Sequence, residues 1–175
     1  MLNQKIDAKN KELREALRAI TPTTTQIDVV KTQVIDILRN VKTDEIQKIG
    51  YVSGVISSDG PKHIPKNIAV LDTYTEFYRM TIPFPAFSSS DIFYGKYTER
   101  FNLSQSEWLT FWSSILKSGT ITDVFMTPRW KISNGAVEEH KMAKELNLTI
   151  HNHENKVDLR RILINSRRDL EMSLY

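Results

Sequence analysis

The stretch from Thr122 to His140 constrains this chain more than any other. Thr122-Asp123-Val124-Phe125-Met126 reads as an apolar strand and Thr127-Pro128-Arg129-Trp130 as a turn. Ser133-Asn134-Gly135 reads as a cap, and Ala136-Val137-Glu138-Glu139-His140 as the opening of a helix. A strand that passes this quickly into a helix is a building unit of an α/β sheet. Its acids then sit just past the carboxyl end of a strand, where open α/β sheets bind ligands. They also lie near backbone N–H groups that favour an anion.

The rest of the chain repeats this alternation. Ile49-Gly50-Tyr51-Val52-Ser53-Gly54-Val55-Ile56 is a short strand running into the polar loop Ser57-Ser58-Asp59-Gly60-Pro61-Lys62. A helical stretch follows with Ile68, Leu71, Tyr74, Thr75 and Tyr78 on one face. Thr81 to Phe87 is strand-like, and Ser88 to Asn102 is irregular and rich in aromatics. Ser104-Gln105-Ser106-Glu107 has capping-box spacing and opens a helix carrying Trp108, Phe111, Trp112, Ile115 and Leu116. Leu148-Thr149-Ile150-His151 reads as a further strand, and Asp158 to Met172 as a terminal helix. The expected fold is α/β: a Rossmann-like parallel sheet of about five strands with helices on both faces.

Residues 1–46 follow a different pattern. Leu2, Ile6, Leu13, Leu17 and Ile20 form one helical stripe, and Ile27, Val30, Val34, Ile37, Leu38 and Val41 a second. Pro22 in the Thr-rich turn between them rules out one continuous helix. Each stripe is narrow, which suits packing on the body or on a partner chain. We therefore expect an N-terminal helical extension over 1–46 and an α/β domain with a C-terminal helix over 47–175.

Composition closes off several classes. The 175 residues include no cysteine, which excludes disulfides, thiolate metal sites and a Cys nucleophile. A net charge of +3 fits a phosphate-bearing ligand and is far too weak to argue for a nucleic-acid polymer. No apolar run reaches the roughly 20 residues of a membrane span, and Met-Leu-Asn-Gln-Lys-Ile-Asp lacks a signal peptide's apolar core. The expectation is a cytoplasmic protein. His151, His153 and Glu154 are not joined by further ligands, so no metal or other cofactor is expected. Gly-x-Ser-x-Gly, Walker and Gly-x-Gly-x-x-Gly motifs are absent.

Two acids remain, Glu138 and Glu139. Acids in a first helical turn usually complement the helix dipole and nothing more. Here the strand end Tyr51-Val52-Ser53-Gly54 would neighbour them in a parallel sheet. Together they could hold one carboxylate among hydroxyls, N–H groups and aromatic walls, an arrangement suited to covalent glycosyl transfer.

Tyr51-Val52-Ser53-Gly54, Asp123-Val124-Phe125-Met126-Thr127-Pro128-Arg129-Trp130 and Ser133-Asn134-Gly135-Ala136-Val137-Glu138-Glu139 together resemble the nucleoside 2-deoxyribosyltransferase-like superfamily. The likeness is nearest to an uncharacterised phage-associated branch and covers residues 49–151. It implies cleavage or transfer at the N-glycosidic bond of a 2′-deoxynucleoside or its 5′-monophosphate. It also implies a homo-oligomer, and the cytoplasm of a host if the chain is phage-encoded.

By that resemblance the nucleophilic glutamate lies four residues after the motif glycine, which selects Glu139 over Glu138. Ser133 stands where the family's monophosphate hydrolases carry a serine, and Ser133, Asn134 and Gly135 would cradle a phosphate. Tyr51, Ser53, Gly54, Ser57, Asp123, Arg129 and Trp130 complete the expected substrate contacts, with Tyr51 and Trp130 as walls for the base. Arg129 replaces the branch's usual glycine and would add a phosphate contact or merely close the turn. The family also places an aspartate in the helix before the late strand, and Trp112-Ser113-Ser114-Ile115-Leu116 has none. Asp91, Glu99 or Glu107 would have to substitute. Otherwise the fold binds or sequesters a nucleotide-derived molecule without turnover, as in a phage counter-defence role.

Overall fold

Strands β1 (Gly50–Ser53), β2 (Ala86–Ser88), β3 (Asp123–Met126) and β4 (Thr149–Asn152) form one parallel sheet in the order β2-β1-β3-β4. The computed structural model describes residues 2–95 and 100–152. The expected terminal helix, Glu99, His153 and Glu154 lie outside the described residues. Each of the four strands falls on a stretch read as a strand from the sequence, and the described residues contain no fifth. β1, β2 and β3 are buried along their whole length, as strands covered on both faces must be.

The strand registers sort side chains by face. Tyr51 pairs with Phe87 and Val124, and Val52 with Ser88 and Phe125. On one face, Val52, Ala86 and Phe125 pack against Leu71, Tyr74 and Tyr78 of α3 (Ile64–Thr81). Pro65 sits in the first turn of α3, where its missing N–H leaves no hydrogen bond unmade. On the other face, Tyr51, Phe87, Val124 and Met126 pack with the remaining long helices. These are α1 (Leu2–Arg18), α2 (Ile27–Val41), α5 (Gln105–Leu116) and α6 (Asn134–Glu145). The fold is therefore Rossmann-like α/β with helices on both faces.

The two N-terminal helices are part of this body. Leu13, Leu17, Val30, Val34 and Leu38 are fully buried in the same apolar cluster as Tyr51 and Val124. Each contributes about 1.5–3 kcal/mol by leaving water. α1 also closes the outer edge of β2. Asn10 Oδ1 accepts from the Ala86 N–H at 3.0 Å, and Arg79 Nε donates to the Ala86 carbonyl at 3.0 Å. An edge whose N–H and C=O groups are taken by side chains offers no template for another strand.

The irregular segment after β2 contains a short helix, α4 (Ser89–Ile92), opened by a capping box of Ser88 and Asp91. A 3-10 turn over Trp130–Ile132 leads into α6, whose N-cap is Ser133. The connections leave β1 and β3 in opposite directions along the sheet, so a crevice opens between their carboxyl ends. The chains approach closely at its floor. The Thr127 N–H donates to the Ser53 carbonyl at 2.9 Å, and a Cβ on Gly54 would clash with Thr127 Oγ1.

That contact makes Gly54→Ala destabilising by about 1–3 kcal/mol, the usual range for overpacking a tight site. The denaturation midpoint should fall accordingly. Adding Thr127→Ala should recover part of the loss; an unchanged midpoint in Gly54→Ala would contradict this packing.

Candidate active site

A cavity of about 630 Å³ fills the crevice. Tyr51 and Gly54 come from β1 and its end, Ser57 and Ser58 from the loop to α3, and Ser89 and Ser90 from α4. Ser133, Asn134, Gly135 and Glu139 come from the start of α6. Its apolar wall is built by Phe93, Phe101, Trp108 and Trp112.

Glu139 lies one turn into α6 and is 8% exposed, while its neighbour Glu138 faces solvent. Helical geometry turns residue 139 toward the sheet because Ala136 and Ala143, one turn to either side, are buried there. The strand alternation puts Tyr51 and Ser53 on the same face. Their hydroxyls reach the carboxylate: Tyr51 donates to Oε1 at 3.2 Å and Ser53 to Oε2 at 2.5 Å. Burial pushes the Glu139 carboxyl up to about 7, and the two hydrogen bonds pull against that rise. Burial first, and then the adjacent Glu139, hold the Tyr51 phenol well above its ordinary range, so it stays a proton donor. The Tyr51 ring is itself fixed by stacking on Trp112, centroids 5.1 Å apart.

The opening turn of α6 faces the same space. Ser133 Oγ accepts from the Ala136 N–H at 3.4 Å, and the Ser133 carbonyl takes the Val137 N–H at 2.9 Å. The N–H groups of Asn134 and Gly135 have no intrahelical acceptor at these positions. A Cβ on Gly135 would meet only Ser133 Oγ, at 3.9 Å, so the glycine leaves this turn open to a ligand.

Seven of the expected site residues therefore line one cavity: Tyr51, Gly54, Ser57, Ser133, Asn134, Gly135 and Glu139. Ser53 joins them through its bond to Glu139. Three others stand elsewhere. Asp123 is at the amino end of β3, on the face shared with Phe125, where His151 Nε2 lies 2.9 Å from Oδ1 and Lys48 Nζ 3.7 Å from Oδ2. Trp130 stacks on His140, centroids 4.3 Å apart, and does not wall the cavity. Arg129 is bound to Asp59, with Nη2 2.9 Å from Oδ1 and 3.1 Å from Oδ2. Its backbone is left-handed, φ 67°, a conformation glycine adopts without strain.

The acids named as substitutes on the aromatic side are also engaged. Asp91 accepts from Arg79 Nη2 at 2.7 Å and from the Ser88 N–H at 2.9 Å. Glu107 accepts from the Ser104 N–H at 2.7 Å in the box that opens α5. The aromatic wall was not anticipated as a site. Trp108 and Trp112, four residues apart, signalled a helix face but read as core, and Phe93 and Phe101 lie in a segment without periodicity. Ser90 was missed as well; its hydroxyl donates to the Asp72 carboxylate. Among the described residues, no three His, Asp or Glu side chains converge as metal ligands.

A carboxyl raised to about 7 opposes folding once it ionises. Relative to its ordinary value of 4.5, Glu139 favours the folded state below pH 4.5, and that contribution is lost as pH rises through 7. The full loss is about 3 kcal/mol at 1.36 kcal/mol per pKa unit. Glu139→Gln should therefore raise the melting temperature at pH 8 and change it far less at pH 5. Equal shifts at both pH values would show that the carboxyl is not perturbed.

Comparison with family models, with curated proteins and with solved structures returns no match to this chain.

Proposed function

We propose that the protein cleaves, or transfers at, the N-glycosidic bond of a 2′-deoxynucleoside 5′-monophosphate, with Glu139 as nucleophile. The observation that carries this reading is a single buried carboxylate, fixed by Tyr51 and Ser53, between a wall of aromatic rings and an open helix start. The two donors orient the carboxylate and leave each oxygen a lone pair, which is what positioning of a nucleophile requires. One Glu139 oxygen forms a bond to C1′ as the C1′–N bond breaks. The bonding pair leaves with the base, which takes up a proton. Water, or a second base, then displaces the glutamyl ester at C1′ and returns the carboxylate.

The other groups match the parts of such a ligand. Phe93, Phe101, Trp108 and Trp112 suit the flat base, since aromatic rings stack on any π-face. Ser133, Gly135, Ser57 and Ser58 offer hydroxyl and N–H donors to a phosphate. The polar half, Ser133 and Gly135, is the one that the resemblance to nucleoside 2-deoxyribosyltransferase-like proteins implies; the aromatic half is not.

A second reading, binding without turnover, draws on a different observation. Asp91 and Glu107 are held in capping boxes, and α5 offers no acid in the stretch Trp112 to Leu116 that could protonate the departing base. Tight binding of a deoxynucleoside monophosphate by the wild-type protein, with the ligand recovered intact, would favour that reading.

Incubation with each deoxynucleoside monophosphate should release free base, and Glu139→Ala should lower the rate by about a thousandfold or more. Because the nucleophile must be ionised, the rate should rise with pH through about 7. Tyr51→Phe removes a bond that lowers the Glu139 pKa, and should move that limb to higher pH. Absence of base release from every monophosphate, in wild type and variant alike, would rule out the enzyme.

A further inference from the structure

The cavity has an unusual charge balance for a phosphate-binding site. Among the described residues lining it there is a carboxylate, Glu139, and no Lys, Arg or His. A phosphate entering it would meet hydroxyl, amide and N–H donors and no cation among the described lining residues. Arg129, outside the lining, pairs with Asp59. Arg129 lies four residues before Ser133, and its partner Asp59 directly follows Ser58. Their ion pair thus joins the two loops that carry the polar half of the cavity.

The pair is built asymmetrically. Asp59 is anchored: Asn67 Nδ2 donates to its Oδ2 at 3.4 Å and to the Ile56 carbonyl at 2.9 Å, and its carboxylate is 22% exposed. The Arg129 side chain is 58% exposed, and a single nitrogen, Nη2, makes both contacts. The fork-on-fork geometry that makes Arg–carboxylate pairs strong uses two nitrogens and is not formed. An exposed pair of this kind is weak and easily exchanged. A phosphate is a better partner for a guanidinium than one carboxylate, since it offers more oxygens and a larger charge.

We infer that Asp59 limits the preference for a phosphorylated ligand: it holds Arg129 in the free protein, and a phosphorylated ligand must take Arg129 from it. A nucleoside without phosphate leaves the pair closed. Asp59 therefore acts against anionic ligands in proportion to how well it competes for Arg129, and it acts through Arg129 alone. This rests on reading the cavity as a nucleotide site.

The test is calorimetric binding of a 2′-deoxynucleoside and of its 5′-monophosphate, in a Glu139→Gln background that prevents turnover. Asp59→Asn should tighten the monophosphate roughly fivefold and leave the nucleoside within about twofold. Arg129→Gln should weaken the monophosphate, and the Asp59→Asn/Arg129→Gln double variant should match Arg129→Gln alone. Both positions are partly exposed, and melting curves check that the variants fold. Equal effects on the two ligands, or a monophosphate affinity indifferent to Arg129→Gln, would overturn the inference while leaving the nucleotide reading intact. If neither ligand binds even without these two changes, that reading fails and this inference fails with it.

Discussion

The pairing of β1 with β3 is the constraint on which the rest of the structure depends. Four residue pairs in register, from Gly50 with Asp123 to Ser53 with Met126, place two strands distant in sequence side by side. The crossing of the chain to opposite sides of this pair opens the crevice between their carboxyl ends. Gly54 and Thr127 then touch at its floor, which leaves no tolerance for a side chain at position 54. The period of two along β1 turns Tyr51 and Ser53 toward α6. Without this register, the hydroxyls of Tyr51 and Ser53 would not meet Glu139.

Helical layers hold the pair in place from both sides. α3 covers the Val52 and Phe125 face, while α1, α2, α5 and α6 cover the other. α1 and α3 have a second task at the edge of β2, where Asn10 of α1 and Arg79 of α3 satisfy both outward groups of Ala86. Arg79 is buried for that purpose and is balanced by Asp91 and Glu76, which raise its hold on the proton against the cost of burial. Asp91 thereby belongs to the scaffold, and so does Asp123 at the far end of β3 with His151. The structure spends two of its buried acids on architecture and leaves Glu139 for the cavity.

Glu139 is a buried carboxyl whose donors do not fully offset its desolvation, and such groups cluster at functional sites. A merely structural position would be better filled by an apolar or amide side chain. The aromatic side of the cavity makes the same point differently. Tyr51 stacks on Trp112, and Phe93 meets Trp108 and Phe111 edge-on, so the wall is rigid before any ligand arrives.

The strands and the caps of α5 and α6 could be read from the sequence, because each rests on local rules, whereas the choice of Glu139 over Glu138 comes from the family resemblance. The local rules are a period of two, a period of 3.6, a serine three residues before an acid, and a glycine at a helix start. A motif of contiguous residues could also bring Ser133, Gly135 and Glu139 together, since the first two turns of one helix carry them all. Other features were settled only by tertiary structure. Trp130 and Asp123 stand within the motif yet face away from the cavity, since turn geometry and strand alternation point them elsewhere. Asp59 meets Arg129 and Tyr51 meets Trp112 across long stretches of chain, and the N-terminal helices join the common core. Contacts between distant residues depend on how the layers stack, and no local periodicity encodes that. The sequence by itself determined the strands and the long helices, which follow local periodicity; packing decided that Glu139 is buried and which side chains surround it.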